Sequence, residues 1–391
     1  MSNVPDIRFK GFTDAWEQRK LGDISRMYQP LTITGNDLLP DGVPVFGANG
    51  FIGFFSEANH IDDQVTISAR GEGTGTPSYV HGPVWITGNS MVVNVGDFDI
   101  DKYFLFANLT TNSLKKYVTG GAQPQLTRDV LVKVPITLPN TDEQQKIGSF
   151  FKQLDNTIAL LQRELDSLKL IKDSLLQKLF PAINEQNPCI RLNNFKEDWK
   201  SVKLADISNR VTRKNKELES TTPLTISALY GLVDQTKYFS KQIASEKLEN
   251  YILIKKGEFA YNKSYSNGYP FGAVKRLDNY DKGVLSSLYI VFKLLSVVDS
   301  NFMKYYFETK LWHKEVQKKS AEGARNHGLL NITTTDFLSL KIKMPNDINE
   351  QTKIGEYLNS LDSKIDKLNR EIILYQKMKK GFLQKLFPKG E

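Results

Sequence analysis

The chain contains one cysteine, Cys189, among 391 residues, so no internal disulfide can close, and a reducing cytoplasm is the expected setting. Its four histidines, His60, His81, His313 and His327, fall at no metal-ligand spacing. Zinc binding and Cys/His catalysis are therefore not expected. No apolar run approaches the ~20 residues of a membrane span, and the opening MSNVPDIRFK lacks the charged-then-apolar pattern of a leader peptide. No G-x-x-x-x-G-K-[ST] phosphate loop occurs. VTISARGEGTG (65–75) imitates a strand feeding a glycine-rich loop, but Thr76, Pro77 and a second strand follow where a helix N-terminus would have to face the phosphate. A Pro-Asp with a downstream acidic-x-Lys triplet is missing, as is an Asn/Asp-Pro-Pro-aromatic tetrad. The sequence offers no catalytic constellation and expects no metal.

The composition, 40% hydrophobic and 25% charged, is that of a globular protein, and the length suggests two or three domains. The net charge of +8 suits a polyanionic partner, but it is unevenly spread. Residues 26–133 carry 7 basic and 10 acidic groups, and residues 209–339 carry 20 and 13.

The chain is written twice. IRFKGFTDAWEQRKLGDIS (7–25) overlays IRLNNFKEDWKSVKLADIS (190–208) at an offset of 183, and EQQKIGSFFKQLDNTIALLQRE (143–164) overlays EQTKIGEYLNSLDSKIDKLNRE (350–371) at 207. The second match runs on to SLLQKLFP (174–181) and GFLQKLFP (381–388). Between these shared ends the two middles differ in sequence and length. Repeated frames hold unlike inserts.

The closing phrase has the three-and-four spacing of a coiled-coil seam: Ile147, Phe151, Leu154, Ile158, Leu161, Leu165, Leu168, Lys172, Leu175, Leu179, and in the copy Ile354, Leu358, Leu361, Ile365, Leu368, Ile372, Tyr375, Lys379, Phe382, Leu386. Pro139 and a Thr141 to Gln144 capping box mark the first start, and Pro181 and Pro388 forbid continuation. Each stripe spans ~50 Å of helix, which needs an apolar partner, and the other copy is the nearest one. The expected arrangement is an antiparallel pair with the inserts inverted at opposite ends, related by a pseudo-twofold axis. Lys172 and Lys379 read more simply as snorkelling side chains than as register-setting seam positions.

The inserts read as strand-rich. VLVKVPITL (130–138) and FLSLKIKM (337–344) alternate as strands leading into the helices. VTISARGEGTGTPSYV (65–80) and EFAYNKSYSNGYPFGAV (258–274) both read strand, Gly/Ser-rich loop, strand; an offset of 193 matches Arg70 with Lys263 and Gly75 with Gly268. NSMVV (89–93) overlays SSLYI (286–290). Arg and Lys read guanine edges or grip phosphate, Asn and Gln read adenine, and aromatics stack. The candidate DNA-facing residues are thus Arg70, Thr74, Thr76, Ser78 and Tyr79 in the first loop, and Asn262, Lys263, Ser264, Tyr265, Ser266, Asn267, Tyr269, Lys275 and Arg276 in the second. Two further polar clusters join them: Gln123, Gln125 and Arg128, and Arg325, Asn326 and His327. Trp16 and Trp199 read as core anchors rather than base stackers.

These features resemble the specificity (S) subunits of type I restriction-modification systems. The resemblance rests on the Glu-Gln-x-x-Ile…Leu-Asp-x-x-Ile pattern after a strand and a proline, here Glu143, Gln144, Ile147, Leu154, Asp155, Ile158 and Glu350, Gln351, Ile354, Leu361, Asp362, Ile365. The Trp…Leu-x-Asp-Ile openings, Trp16 with Leu21, Asp23, Ile24 and Trp199 with Leu204, Asp206, Ile207, also fit. The resemblance implies an α+β chain in which target-recognition domains at 1–141 and 182–348 alternate with spacer helices at 142–181 and 349–388. It implies partners: double-stranded DNA read as a bipartite, asymmetric site, two modification subunits and, in the full complex, restriction subunits, with no membrane. It also implies that this chain binds no cofactor, S-adenosylmethionine belonging to the modification subunit and ATP and Mg to the restriction subunit. The acidic Asp97, Asp99 and Asp101 are then expected to face away from DNA. An autonomous methyltransferase or nuclease would need the missing motifs, and a coiled-coil scaffold alone leaves the unlike inserts without a use.

Overall fold

The three-and-four spacing becomes two long helices, Thr141–Lys178 and Ile348–Leu386, in the computed structural model, which describes residues 4–192, 195–227, 230–239, 247–264, 268–320 and 330–388. Their bounds lie within a few residues of those read from the prolines. The first start is capped differently from the expected box: Asn140 Oδ1 accepts from the Glu143 N–H at 3.0 Å, while Thr141 donates its hydroxyl to Asp99 at 2.6 Å. Asparagine one residue earlier suits an N-cap as well as threonine does.

The chain divides into two units, Met1–Glu164 with Leu368–Glu391, and Leu165–Lys367. Each takes the N-terminal part of one long helix and the C-terminal part of the other. In the first unit these parts run antiparallel, since Phe150 meets Phe382 at 5.0 Å between ring centroids and Asp155 meets Lys379. In the second, Lys172 meets Asp362. Seam residues are buried or half-buried in both units, and Ile147, Phe151, Leu154, Leu386 and Phe387 join Trp16 and Phe104 in the core of the first, as Leu179, Phe180, Ile354, Leu358 and Leu361 join Trp199 and Phe302 in that of the second. The tryptophans are core anchors, 2% and 1% exposed.

Both units carry a four-stranded antiparallel sheet of one topology. In the first the order is Arg26–Tyr28, Ser90–Asn94, Gln64–Ser68, Pro77–Val80; in the second it is Ser208–Arg210, Ile290–Leu294, Phe259–Asn262, Ala273–Arg276. A two-stranded ribbon joins each opening segment to the strand before the long helix, Glu17–Lys20 with Pro135–Leu138 and Lys200–Lys203 with Lys341–Met344. These strands are shorter than the alternation predicts, because Arg128–Leu131 and Thr334–Leu338 are single helical turns. A short apolar run satisfies both periods, and in the second unit Thr333 and Asp336 cap each other into a helix start.

The ladders also shift the overlay of the inserts. Ala69 O accepts from Leu126 N–H at 3.0 Å, and Lys263 O accepts from Leu330 N–H at the same distance. Lys263 therefore occupies the place of Ala69, not of Arg70. A one-residue slip turns every side chain to the other face. The positive-φ glycine opening the return strand is Gly75 in one unit and Gly272, not Gly268, in the other, at φ +87° and +77°. The NSMVV strand slips by two, with Val93 in the place of Phe292, so its faces are unchanged.

The shared phrases are the parts that hold each insert to its helix. Arg8 makes a two-pronged ion pair with the buried Glu143, and Arg191 does the same with Glu350, which Trp199 Nε1 also reaches at 3.3 Å. Gln144 accepts from Asp101 N–H at 3.2 Å and donates to Pro139 O at 3.0 Å; Gln351 treats Asp299 and Pro345 alike, both at 3.0 Å. Asp101 and Asp299 in turn cap the helices Lys102–Thr111 and Ser300–Tyr306 through the Phe104 and Phe302 N–H groups, each at 2.7 Å.

Candidate nucleic-acid interface

Three segments converge beyond the C-terminal end of the helix Lys102–Thr111. The first is the hairpin loop after Gln64–Ser68, where Arg70 is exposed. The second is the turn Leu114–Tyr117, whose backbone lies 3.4 Å from where a Cβ on Gly75 would be. The third is the segment around Gln125, which bridges to both Arg70 and Thr119. Thr74 donates to Gly71 O at 2.6 Å and lies 3.2 Å from Pro124 O, which ties loop to segment. Arg70, Gln123 and Gln125 are thus brought together with their side chains exposed. Lys115 and Lys116, also exposed, stand on the middle segment, and Asn49 reaches the loop from a neighbouring hairpin, its Oδ1 2.9 Å from a Cβ placed on Gly73. The Lys-Lys pair was the available sequence signal; nothing local marks Asn49.

Several other candidates have internal duties. Thr74 is 3% exposed and serves the loop's own backbone. Thr76 is exposed, with its carbonyl accepting from Ser68 N–H at 2.9 Å. Ser78 is half-buried within the sheet opposite Thr66. Tyr79 donates to Asp63 at 3.0 Å, and burial followed by that carboxylate pushes its pKa up. Arg128 donates through Nε to Met27 O at 3.0 Å.

Among the described residues the second unit repeats part of this arrangement. Its hairpin loop leans on the helix Leu311–Lys319, where the Phe271 and His313 rings lie 5.2 Å apart. Burial, with Lys310 second, lowers the His313 pKa to about 4, so the ring is neutral at ordinary pH. Exposed Lys310, Lys314 and Lys319 add positive charge there, while Lys318 pairs with Glu315 at 2.6 Å. Asn262, Lys263, Ser264 and Tyr269 are half-buried at the loop, with Asn262 Oδ1 accepting from Ser264 N–H at 3.0 Å. Tyr265, Ser266, Asn267, Arg325, Asn326 and His327 lie outside the described residues.

Lys275 and Arg276 do not join this surface. Arg276, 12% exposed, gives its guanidinium to Asp278, Ser300 and Asn301 at 2.6, 2.9 and 3.0 Å. Lys275 lines a cleft of about 890 Å³ with Lys172, Lys304, Glu308 and Asp362, and burial lowers its pKa. The strand that follows the hairpin turns both side chains back toward the unit's own helices. Asp97, Asp99 and Asp101 of the first insert are likewise engaged away from the loops, whereas Glu72 stands exposed within the first loop beside Arg70. Asp99 and Asp101 serve the starts of two helices, and Asp97 pairs with Arg26 at 3.1 Å. Asp101 and the candidate turn mark opposite ends of a ten-residue helix, ~15 Å apart.

Among the described residues no helix is long and apolar enough to cross a membrane, and no cluster of His, Cys, Asp and Glu could hold a metal ion.

The chain matches the family model described as the type I restriction modification DNA specificity domain twice, over residues 13–170 and 196–374. It is 23% identical over 303 residues to the type I restriction enzyme MjaVIII specificity subunit of Methanocaldococcus jannaschii, covering 73% of this chain and 69% of that one. A putative type I specificity subunit of Mycoplasma genitalium is 28% identical over 178 residues, covering 44% of this chain and 46% of the relative. The crystal structure of a type I restriction-modification S subunit from M. genitalium has the same fold, with a TM-score of 0.70 at 15% identity over 99% of this chain and 100% of the other. The chain belongs to the family of type I restriction-modification specificity subunits, with two DNA specificity domains in tandem.

Proposed function

We propose that each unit reads one half of a bipartite, asymmetric DNA site through its hairpin loop and the two segments packed against it, and that the chain performs no chemistry itself. The long helices space the two readers and dock two modification subunits, which bring S-adenosylmethionine and methylate adenine; restriction subunits with ATP and Mg complete the assembly. The observation that supports this reading is the contrast within the duplication. Arg–Glu, Gln and Asp anchors recur at matching positions, while the loops they carry differ in length and in sequence. A scaffold alone would have no use for unlike loops in a repeated frame.

The test is an exchange of residues 26–133 for the corresponding insert of a related subunit, followed by methylome sequencing. One half of the methylated sequence should change, with the other half and the gap intact. Both halves changing together would rule out independent readers. Calorimetric titration of the purified chain with S-adenosylmethionine should give no stoichiometric binding; saturation at one equivalent would move the methyl-transfer chemistry onto this chain.

A further inference from the structure

In the first unit a hairpin formed by Val43–Gly47 and Gly50–Phe55 stands beside the candidate loop. Its base is built into the core: Val45 is 0% exposed, Phe55 packs edge-on against Trp85 at 4.8 Å, and Phe46 lies on Val80, Val84, Ile86 and Val92. Its tip is not. Gly50, at φ +105°, completes the turn after Asn49, and the next two residues, Phe51 and Ile52, are 53% and 47% exposed. The ladder slips beside Ile52, which stands as the extra residue of a bulge, so Phe51 and Ile52 are both open to solvent while Phe46, paired with Phe51 across the ladder, lies on the core. Asn49 meanwhile touches the loop that bears Arg70.

Two apolar side chains are too little for a protein interface, which buries about 800 Å² on each partner. They suit another use. A two-stranded ribbon fits a DNA groove, and Phe and Ile are among the side chains that wedge between base pairs.

We infer that this tip is a DNA wedge, Phe51 inserting between adjacent base pairs of the half-site while Arg70, Gln123 and Gln125 contact base edges and phosphates alongside. The inference rests on the DNA-reading function proposed above. The rigid base of the hairpin holds Phe51 in place, so little ordering is needed on binding. Unstacking one step opens the base edges to Asn49 and the neighbouring loop, which makes the energy of deforming that step part of the recognition.

The test uses the full chain with its modification subunits and a duplex of the methylated sequence, with 2-aminopurine placed in turn at each step of the half-site read by the first unit. Wild type should raise the fluorescence at one step. Phe51→Ala should abolish that rise and weaken binding about tenfold or more, as loss of an aromatic base contact does, with only a small fall in melting temperature, since the half-exposed ring touches just the edge of Phe54 at 5.1 Å. Phe51→Leu, which keeps an apolar wedge, should restore most of the rise. Arg70→Ala should weaken binding yet keep the rise in saturated complex. If Arg70→Ala weakens binding while Phe51→Ala alters neither signal nor affinity, the wedge is refuted and the loop reading stands. If neither variant changes binding, both are refuted.

Discussion

A methyl group on Gly148 would sit 2.0 Å from Asp101 Oδ1 and 2.9 Å from the Phe104 nitrogen, inside the hydrogen bond that starts a helix. Its counterpart Gly355 would meet Asp299 Oδ1 and the Phe302 nitrogen at 2.7 Å each. The glycine in each Lys-Ile-Gly is thus explained by close approach of an insert helix to the long helix. A methyl group on Gly381, in the second long helix, would meet nothing within 4 Å. The three glycines should therefore respond with opposite signs. Gly148→Ala and Gly355→Ala should each cost about 2–4 kcal/mol from crowding and a lost cap, and Gly381→Ala should gain about 1 kcal/mol of helix propensity. Urea unfolding of the three variants checks this, and equal effects would mean the approach is not as close as described.

At the scale of elements, the two seam lysines that read as snorkelling side chains prove to be half of a repeated ion pair. Lys379 meets Asp155 at 2.6 Å and Lys172 meets Asp362 at 2.7 Å, with Tyr103 donating to Asp155 and Tyr305 to Asp362, each at 2.7 Å. A charge pair in an apolar seam costs stability when the register slips, which is how polar seam positions select one alignment. Asp155→Ala and Lys379→Ala should each destabilise, and a double-mutant cycle should return a coupling of about 1 kcal/mol. Burial alone would raise the Asp362 pKa, but Lys172, Tyr305 and Lys304 outweigh it and hold the carboxyl below its ordinary range. A depressed folded pKa means that this stability is present above the unfolded value, ~3.9, and is lost as pH falls through the folded one. For Lys172, burial is outweighed by Glu308 and Asp362 and the pKa is raised, so that contribution is present below ~10.4 and is lost as pH rises through the folded value. The melting temperature of Asp362→Asn should accordingly lie below wild type at neutral pH and converge on it in acid. Leu368, 8% exposed, offers a second check. Leu368→Asp should cost several kcal/mol by burying an unpaired charge, and Leu161→Asp, at a half-buried position, should cost less.

For the whole molecule, the anchors imply two separate failures. Removing Arg8 leaves Glu143 buried without that ion pair, and removing Arg191 does the same to Glu350, at a cost of about 3–5 kcal/mol each. Because each anchor lies inside one unit, Arg8→Ala should relax the sequence preference of one half-site and Arg191→Ala that of the other, as read by methylome sequencing. Either variant relaxing both halves would argue against independent units. The duplication, the two long helices and the family pattern were legible in the bare sequence, since constant offsets, a three-and-four period and flanking prolines are local properties that survive in any fold. Which residues face one another was settled by packing alone. The loops between the paired strands differ in length, so no overlay could tell Ala69 from Arg70 as the partner of Lys263. Valines two apart fit one helical turn as well as a strand. Asp155 and Lys379, separated by 224 residues, become partners only when the helices lie antiparallel. Arg276 shares the residue chemistry of Arg70, yet packing gives it to Asp278, Ser300 and Asn301. Side-chain type states what contacts are possible, and strand register and helix contacts choose among them.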